Sequence, residues 1–317
     1  MISLVINSKC NQKCEYCFAY NTLHDNNTFM SLETCEEILD FQAKAKYFVL
    51  KGCVGIIGGE PTIHPQFDKI LELFKEHSNK YNTHTMLFTN GTRLHEYDLD
   101  FSISGLINVN SPDITGINNY NNTCKSIEKY SDKGFNIGVN IYPGIKDYSF
   151  IIDIAKKYNI RVIRCAVACP DGLYMHMQDK RDDYFKSCID NYLKFCNDII
   201  KNDLVIHMDC CKIPLCYFTE EQKYIVNKAC GGYHGDINIC TPHIDVHSDL
   251  TATHCFIRPE TISIKDFANP DSLSAYITTR WLNKMYANMQ YGRCETCNTY
   301  KQGFCQGGCL RFAKGDI

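Results

Sequence analysis

Short apolar runs alternate with amphipathic helical stretches through the first half of the chain, and this alternation limits the fold more than any other feature. Helical patterns lie at residues 31–47, from Pro65 onward, near 122–133 and at 151–158. The six strand-like runs cover residues 2–7, 53–58, 84–89, 105–110, 135–142 and 160–167. Strands that alternate with helices predict an α/β fold, with a parallel sheet and right-handed crossovers. A partial barrel of six units and an open doubly wound sheet both fit.

The alternation of strand-like and helical stretches ends after residue 170. Residues 181–201 predict one amphipathic helix, while the segment from Cys210 to Cys309 has little regular pattern and holds half of the 20 cysteines. We therefore predict three parts. They are a catalytic domain at 1–170, a bridging helical segment at 171–204 and a cysteine-rich domain at 205–317.

Composition narrows the class of protein and its surroundings. The formal net charge is −3, with no long run of like charge, so no nucleic-acid partner is predicted. No apolar stretch approaches the ~20 residues of a membrane span, and residues 1–8 lack the pattern of a secretory signal. We therefore expect a cytoplasmic protein with no membrane partner. In that reducing compartment, clustered cysteines favour metal binding or redox chemistry over disulfides.

Three cysteines, Cys10, Cys14 and Cys17, directly follow the first predicted strand. The carboxyl end of a parallel strand is where ligand sites of α/β folds collect. A structural zinc ion or an electron-transfer cluster takes four ligands from the protein. Three thiolates therefore predict a cluster with one iron left open for a substrate. Three unrelated thiols or a partial zinc site are the alternatives.

The second predicted strand ends in a tight segment, Gly58-Gly59-Glu60-Pro61. Glycines allow close backbone approach, and an acidic edge suits an ammonium group. This segment, the C-x3-C-x2-C spacing and Tyr16 before the last cysteine together resemble the radical SAM superfamily. The resemblance covers about residues 1–170 and implies a partial (β/α)6, TIM-like barrel.

The resemblance also implies a reaction. The open iron of a [4Fe–4S] cluster binds the amino and carboxylate groups of S-adenosylmethionine. One electron from a reductant such as flavodoxin or ferredoxin cleaves this cofactor, and the 5′-deoxyadenosyl radical removes a hydrogen atom from the substrate. The cofactor carries that chemistry, while the protein orients it and excludes solvent.

Further contacts to S-adenosylmethionine follow from the same resemblance. Tyr16 is expected near the adenine, with loop packing as the alternative. Gly58, Gly59, Glu60 and Pro61 are expected at the methionine amino group. Polar residues at the ends of later strands are candidates for the ribose and methionine, although each also suits a cap or turn: Asn90, Asn108, Asn110, Ser111 and Asn140.

The C-terminal cysteines resemble the SPASM extension of radical SAM enzymes, which carries one or two auxiliary [4Fe–4S] clusters. The resemblance implies a first auxiliary cluster on a cysteine before a strand pair, the two cysteines flanking that pair and the last cysteine. It implies a second cluster on the remaining three cysteines of the C-terminal group. The two sets are Cys230, Cys240, Cys255 and Cys309 for the first cluster, and Cys294, Cys297 and Cys305 for the second.

The sequence departs from the family pattern in three places. Leu250 stands at the glycine position, seven residues instead of five separate Cys297 from Cys305, and no cysteine follows Cys309. The fourth ligand of the second cluster is therefore open: Cys211, Cys216, a substrate or a water are candidates, or this cluster is absent. Zinc is the alternative metal, with nearby His243, His247 and His254.

Seven further cysteines on predicted helices and strands are expected to be plain buried thiols. Cys165 and Cys169 are the two to watch, because they end the sixth strand. The seven are Cys35, Cys53, Cys124, Cys165, Cys169, Cys188 and Cys196.

The sequence leaves three hypotheses for the function: two are enzymes, and the third is a protein without catalytic activity. The first is an oxidoreductase that acts as a peptide maturase, making a crosslink, an epimer or an oxidised residue in a ribosomally made peptide. Because Cys10 lies close to Met1, we expect no leader-binding domain before the barrel. The second acts on a small molecule such as an amino acid, sugar or nucleoside. The third is a non-catalytic iron–sulfur or zinc redox protein, and Gly58–Pro61 argues against it. The catalytic acid, base or hydrogen donor is unknown, with Asp209, Tyr217 and Glu220 as weak candidates.

Overall fold

A computed structural model of the chain describes residues 1–17, 19, 28–100, 102–145, 147–169, 180–209, 212–232, 243–255, 260–282, 294–303, 305 and 307. Its strands are β1 (Ile2–Val5), β2 (Cys53–Ile57), β3 (His84–Thr89), β4 (Ile103–Asn108), β5 (Phe135–Ile141), β6 (Val162–Val167), β7 (Val205–Met208), β8 (Ile244–Val246), β9 (Thr251–Thr253) and β10 (Ile262–Ser263).

The α-helices are α1 (Leu32–Gln42), α2 (Phe48–Lys51), α3 (Phe67–Tyr81), α4 (Pro112–Thr115), α5 (Ile117–Tyr130), α6 (Ser149–Lys157), α7 (Arg181–Lys201), α8 (Glu220–Ala229), α9 (Pro270–Tyr276) and α10 (Asn298–Lys301). Short 3-10 turns lie at Pro61–Ile63, Leu94–Glu96, Leu215–Tyr217 and Ile264–Asp266, and Ile277–Leu282 is a π-helical turn.

The chain forms two compact units. The first contains residues 1–14, 19–136 and 242–279, and the second contains 15–18, 137–241 and 280–317. In the first unit the strand order is β10-β9-β8-β1-β2-β3-β4. The pairs β8–β1, β1–β2, β2–β3 and β3–β4 are parallel, whereas β10–β9 and β9–β8 are antiparallel.

The second unit holds the parallel strands β5, β6 and β7 in that order, with α7 between β6 and β7 along the chain. All but the first two residues of β5 belong to this unit. Helix α7 turns Phe185, Ile189, Tyr192, Cys196 and Ile199 into the core, as its period predicts. The three-part domain division predicted from the sequence stays a prediction.

Local sequence explains where these elements start and stop. All four residues of β1, three of them apolar, are buried, as a strand in the middle of a parallel sheet should be. Helix α1 begins at the predicted cap, where the Ser31 hydroxyl accepts the Thr34 N–H at 3.1 Å. Helix α3 ends at Asn82, whose left-handed conformation (φ 53°) is a common way to end a helix.

The prediction of a mostly parallel α/β sheet is confirmed, and all six predicted strands are present. Several boundaries were wrong by a few residues: α1 ends at Gln42 instead of 47, β4 covers 103–108 instead of 105–110, and α5 covers 117–130 instead of 122–133. The segment after Cys210 is also more regular than expected. It contains α8, which starts at a Thr219–Gln222 capping box, and the strands β8 to β10.

Candidate functional site

The loop after β1 carries Cys10 and Cys14, and hydrogen bonds hold it at the carboxyl ends of β2 and β3. The Gly59 N–H donates to the Asn7 carbonyl at 2.9 Å, and the Glu60 N–H donates to the Lys9 carbonyl at 2.8 Å. The half-buried Cys10 sulfur accepts the Gln12 N–H at 3.4 Å and the Asn90 side-chain amide at 3.9 Å. Three parallel strands therefore converge on the first predicted ligand.

Cys14 is held from β4, by residues that the sequence did not single out as a group. The Asn110 amide donates to the Cys14 sulfur at 3.3 Å and to Gln12 Oε1 at 2.9 Å. The Gln12 amide in turn donates to the Thr115 hydroxyl at 2.8 Å. Of the three polar residues around Cys14, the sequence predicted a role only for Asn110, as a candidate contact of S-adenosylmethionine. The sequence gives little signal for Gln12 and Thr115, since a single polar residue after a strand usually caps a helix or forms a turn.

Gly58 and Gly59 allow the β2 exit to lie against residues 7–9. A Cβ on Gly58 would lie 2.4 Å from Asn7 Oδ1 and 2.6 Å from its carbonyl oxygen, and a Cβ on Gly59 would lie 2.2 Å from the Lys9 carbonyl oxygen. Such distances are far inside van der Waals contact, so both positions need glycine. The glycine pair thus shapes the backbone that leads directly into Cys10.

The Glu60 carboxylate is fully buried and is supplied with donors by the protein itself. Its Oε1 accepts the Thr62 N–H (3.1 Å), the Thr62 hydroxyl (2.5 Å) and the Thr89 hydroxyl (2.6 Å), and its Oε2 accepts the Asn90 N–H (2.7 Å). Burial raises the pKa of Glu60, and these hydrogen bonds oppose the rise. The carboxylate therefore fixes the 3-10 turn that starts at the buried Pro61 and joins the β2 exit to Asn90.

The other polar candidates in the first unit differ in how their side chains are used. Asn90 bonds to the Cys10 loop, donating to Asn11 Oδ1 at 2.8 Å, while its Oδ1 accepts from Thr92. Asn108, the last residue of β4, has a buried Oδ1 that accepts no hydrogen bond from the part of the chain that the structure describes. Ser111 is the N-cap of α4. An orphaned buried acceptor is a group that a bound ligand satisfies.

Tyr16, Cys17 and Asn140 lie in the second unit. Tyr16 is buried with its ring 4.6 Å from the ring of Tyr142, and Cys17 is half-buried. The side-chain Oδ1 of Asn140 accepts from the Arg164 guanidinium at 3.3 Å, and Arg164 also pairs with Asp209 at 2.9 Å.

Two of the four cysteines predicted to bind the first auxiliary cluster, Cys240 and Cys309, lie outside the described residues. Cys230 is buried at the end of α8, and burial raises the pKa of its thiol to about 11 against a hydrogen bond with Tyr192. Cys255 is half-buried two residues after β9. The β8–β9 strand pair expected before Cys255 is present.

The other predicted cysteine set lies in the second unit. A turn joins Cys294 to Cys297, whose N–H donates to the Cys294 carbonyl at 3.2 Å. The half-buried Cys305 sulfur accepts the Gly307 N–H at 3.3 Å. Across the described ranges, no three Cys, His, Asp or Glu side chains meet closely enough to hold a single metal ion.

Asp209, Tyr217 and Glu220, the weak catalytic candidates, all have structural partners. Asp209 pairs with Arg164, the Tyr217 hydroxyl donates to Asp182, and Glu220 pairs with Lys223 at 2.6 Å in the first turn of α8.

Of the seven cysteines expected to be plain buried thiols, Cys53 and Cys124 are half-buried and the other five are buried. No helix in the described part of the chain is both long and apolar enough to cross a membrane.

Comparison with known proteins identifies the family. The sequence model of the radical SAM superfamily matches residues 4–170, more than half of the chain. The chain therefore belongs to the radical SAM superfamily, whose members take their name from S-adenosylmethionine, and it is an enzyme of that class. The Cys10–Cys17 loop and the Gly58–Pro61 segment both lie within the matched residues.

Two curated relatives share part of the sequence. The radical SAM cyclopropyl synthase TigE of Paramaledivibacter caminithermalis is 24% identical, over 60% of this chain and 46% of its own. The cysteine-type anaerobic sulfatase-maturating enzyme of Clostridium perfringens is 29% identical, over 44% of this chain and 43% of its own. The aligned part of the chain thus spans less than half of either relative.

Two solved structures share the fold over nearly the whole chain. Native anSMEcpe with bound AdoMet has a TM-score of 0.65 at 18% identity, covering 98% of this chain and 90% of its own. Streptococcus suis SuiB bound to precursor peptide SuiA has a TM-score of 0.59 at 18% identity, covering 97% of this chain and 71% of its own. These likenesses confirm the predicted fold class, a partial barrel with a cysteine-rich C-terminal region.

Proposed function

We propose that Cys10, Cys14 and Cys17 bind a [4Fe–4S] cluster with one open iron and that S-adenosylmethionine binds beside it. Soft thiolate ligands suit iron–sulfur clusters. When bound, the cluster supplies the electron that cleaves S-adenosylmethionine reductively, for removal of a hydrogen atom from the substrate. Neutral amides of Asn90 and Asn110 donate to two of the three sulfurs and orient them. This double anchoring at the carboxyl ends of β3 and β4 is the observation that carries the proposal.

The residues proposed to contact S-adenosylmethionine play different parts. Gly58 and Gly59 shape the backbone beside the cluster loop, and the Glu60 carboxylate positions Pro61 and Asn90 instead of serving as a free anion. The orphaned Asn108 Oδ1 is available as an acceptor. Tyr16, Ser111 and Asn140 complete the proposed contacts.

We further propose that the substrate is a peptide, so that the enzyme is an oxidoreductase of the peptide-maturase kind. Support comes from SuiB, which was solved with a precursor peptide and shares the fold over 97% of this chain. The sulfatase-maturating relative also acts on a protein, as its name states. The C-terminal cysteines are proposed to bind auxiliary clusters, which accept the electron left after hydrogen removal. A flavodoxin or ferredoxin is the proposed reductant, in the cytoplasm.

Formation of 5′-deoxyadenosine after anaerobic reduction tests the cleavage. Wild type and Cys124→Ala, which changes a cysteine outside all the proposed sites, are expected to form it. The triple variant Cys10→Ala, Cys14→Ala, Cys17→Ala is expected to form none, yet to keep iron in the C-terminal region. Undiminished cleavage by the triple variant would overturn the assignment of the loop.

A deuterium-transfer experiment tests the substrate class. Short peptides encoded beside this protein are made with deuterated side chains and offered to the reduced enzyme. Mass spectrometry is expected to find deuterium in the 5′-deoxyadenosine and a mass change in the peptide. Transfer from a deuterated amino acid, sugar or nucleoside, with none from any peptide, would instead favour the small-molecule reading.

A further inference from the structure

Gln12, a residue of the loop after β1, binds the asparagine that contacts Cys14. The Asn110 amide nitrogen donates to Gln12 Oε1 at 2.9 Å and to the Cys14 sulfur at 3.3 Å. An asparagine amide has two hydrogens, so one is taken by Gln12 and the other is directed at the sulfur. The Gln12 amide nitrogen in turn donates to the Thr115 hydroxyl at 2.8 Å. We call these three side chains, Asn110, Gln12 and Thr115, the Gln12 relay.

The preceding residue repeats this arrangement at Cys10. The Asn90 amide nitrogen donates to Asn11 Oδ1 at 2.8 Å and to the Cys10 sulfur at 3.9 Å. The Asn11 amide donates to the Thr92 hydroxyl at 2.7 Å, and that hydroxyl donates to Asn90 Oδ1, also at 2.7 Å. Because the only hydroxyl hydrogen of Thr92 is given to Asn90, its oxygen accepts from Asn11. Asn90, Asn11 and Thr92 thus form a closed ring, the Asn11 relay.

The relays determine which atom of each asparagine faces a sulfur. The oxygen and nitrogen of a side-chain amide exchange places when the group turns over. If the Asn110 amide turned over, its oxygen would face both Gln12 Oε1 and the Cys14 sulfur, and no hydrogen would lie between these acceptors. Gln12 therefore selects the orientation in which Asn110 donates, and Thr115 holds Gln12 in place.

We propose that Gln12 and Asn11 are positioning residues of the Cys10–Cys17 cluster. Each holds an asparagine so that one amide N–H is directed at a ligand sulfur, and the hydroxyls of Thr115 and Thr92 anchor the two relays. An N–H group directed at a ligand sulfur stabilises the reduced cluster, so both relays raise its midpoint potential. The inference rests on the proposed function, because it needs a cluster on these sulfurs.

The Gln12 relay has the larger effect of the two. Gln12 and Asn110 are only 8% and 7% exposed, whereas Asn11 is exposed. Hydrogen bonds are stronger where water is excluded, and water replaces a lost partner more readily at an exposed side chain. The nitrogen-to-sulfur distance is also shorter in the Gln12 relay, 3.3 Å against 3.9 Å.

Threonine-to-valine substitutions test the relays, because valine has the shape of threonine without its hydroxyl. In a redox titration, Thr115→Val and Thr92→Val should each make the midpoint potential more negative, with the larger shift for Thr115→Val. Thr115→Ser and Thr92→Ser keep the hydroxyl and should have the wild-type potential. A wild-type potential in Thr115→Val, with iron fully retained, would overturn the proposal.

Thr123→Val is the matched control. Thr123 is 3% exposed and Thr92 is 1% exposed, so both substitutions are made in the interior. The Thr123 hydroxyl also contacts Asn90, but it donates to the main-chain carbonyl at 3.0 Å and not to the side-chain amide. We therefore expect the wild-type potential in Thr123→Val. Equal shifts in Thr123→Val and Thr92→Val would mean that loss of packing around Asn90, and not the direction of its amide, changes the potential.

Crossed variants separate positioning from a general loosening of the loop. In an Asn110→Ala background, Thr115→Val should cause no further shift, because no amide is left for Gln12 to direct. In the same background Thr92→Val should still lower the potential, since it acts through the other relay. A further shift from Thr115→Val in this background would show that Gln12 does not act through Asn110.

Hydrogen exchange in metal-free protein gives a measurement that needs no cluster. With isotopically labelled glutamine, nuclear magnetic resonance should find slow exchange of the Gln12 side-chain amide in wild type and in Thr123→Val, and faster exchange in Thr115→Val. Equal exchange in Thr115→Val and wild type would overturn the inference. If exchange depends on Thr115 but no cluster assembles, the proposed function fails and the placement of the amide is right. If a cluster assembles and Thr115→Val leaves its potential unchanged, the proposed function stands and this inference is wrong.

Discussion

The side-chain amide of Asn110 donates a hydrogen bond to the sulfur of Cys14 over 3.3 Å. The same amide reaches Gln12 Oε1 at 2.9 Å, so both its position and its direction are fixed from within the loop. An N–H group directed at a ligand sulfur stabilises the more negative, reduced state of an iron–sulfur cluster. Asn110 is therefore placed to tune the potential at which the proposed cluster takes up an electron.

Replacing Asn110 by alanine should make the midpoint potential of the Cys10–Cys17 cluster more negative. One hydrogen bond contributes about 1 kcal/mol, which for a one-electron couple corresponds to roughly 40 mV. A redox titration followed by electron paramagnetic resonance measures the shift, and Asn118→Ala, an exposed asparagine on α5, is the control. An unchanged potential in Asn110→Ala, with iron fully retained, would show that this amide does not act on the cluster.

Gly59→Ala should prevent the Cys10–Cys17 loop from binding its cluster. The new Cβ would lie 2.2 Å from the Lys9 carbonyl oxygen, a backbone atom that cannot rotate away. Relief requires residues 7–9 to move, and Cys10 moves with them. We expect iron per chain to fall to the level of the variant that lacks Cys10, Cys14 and Cys17, with formation of 5′-deoxyadenosine lost.

Gly116→Ala is the matched control for that substitution. A Cβ at Gly116 meets no atom within 4 Å, but φ is +79° and ψ is 148°, a conformation that is essentially confined to glycine, so alanine there costs about 1–3 kcal/mol of backbone strain. The free energy of unfolding should fall while the iron content stays at the wild-type value. If the two alanine variants lose iron equally, steric contact with residues 7–9 is not the reason that Gly59 is needed.

The sequence predicted those features that depend on neighbours along the chain. The β1 to β6 runs and the α7 face were found because apolar period is a local property. Placement of β8 beside β1 was not found, because three residues near position 245 carry no sign of a partner near position 3. Gln12 and Thr115 were missed for the same reason, since their bonds join loops that only the fold brings together.

The buried Asp245 makes the free energy of unfolding depend on pH, independently of the proposed reaction. Its carboxyl is buried on β8 beside Ser3 of β1, and burial raises its pKa from 3.8 to about 7, against the positive charge of the Met1 ammonium and a hydrogen bond from Ser3. The folded state therefore keeps a proton that the unfolded state releases. Stability from this group is fully present below pH 3.8 and is lost as the pH rises to about 7.

Asp245→Asn should remove that loss, because asparagine stays neutral and still accepts from Ser3. At pH 8 we expect the variant to be more stable than wild type by up to about 4 kcal/mol, at 1.36 kcal/mol per pKa unit. The difference in stability between the variant and wild type should shrink toward pH 4.5. Urea unfolding at a series of pH values measures it, and parallel curves for the two proteins would contradict the assignment.

Leu250 shows why the related sequence pattern has a glycine at this place. Its φ is +63°, between β8 and β9, and its side chain is only 8% exposed. A side chain other than glycine in this left-handed conformation costs about 1–2 kcal/mol. Removing a buried leucine side chain costs about 2–5 kcal/mol. The packing of Leu250 therefore outweighs its strain, and both Leu250→Gly and Leu250→Ala should lower the free energy of unfolding.

The order of the two variants separates strain from packing. Both lose the leucine side chain, but only glycine also removes the strain, so Leu250→Gly should be more stable than Leu250→Ala by about 1 kcal/mol. At Leu273, a fully buried residue within α9, the order should reverse, because glycine costs about 1 kcal/mol relative to alanine inside a helix. Urea unfolding of the four variants measures both differences. The same order at both positions would mean that residue 250 does not hold the left-handed conformation in solution.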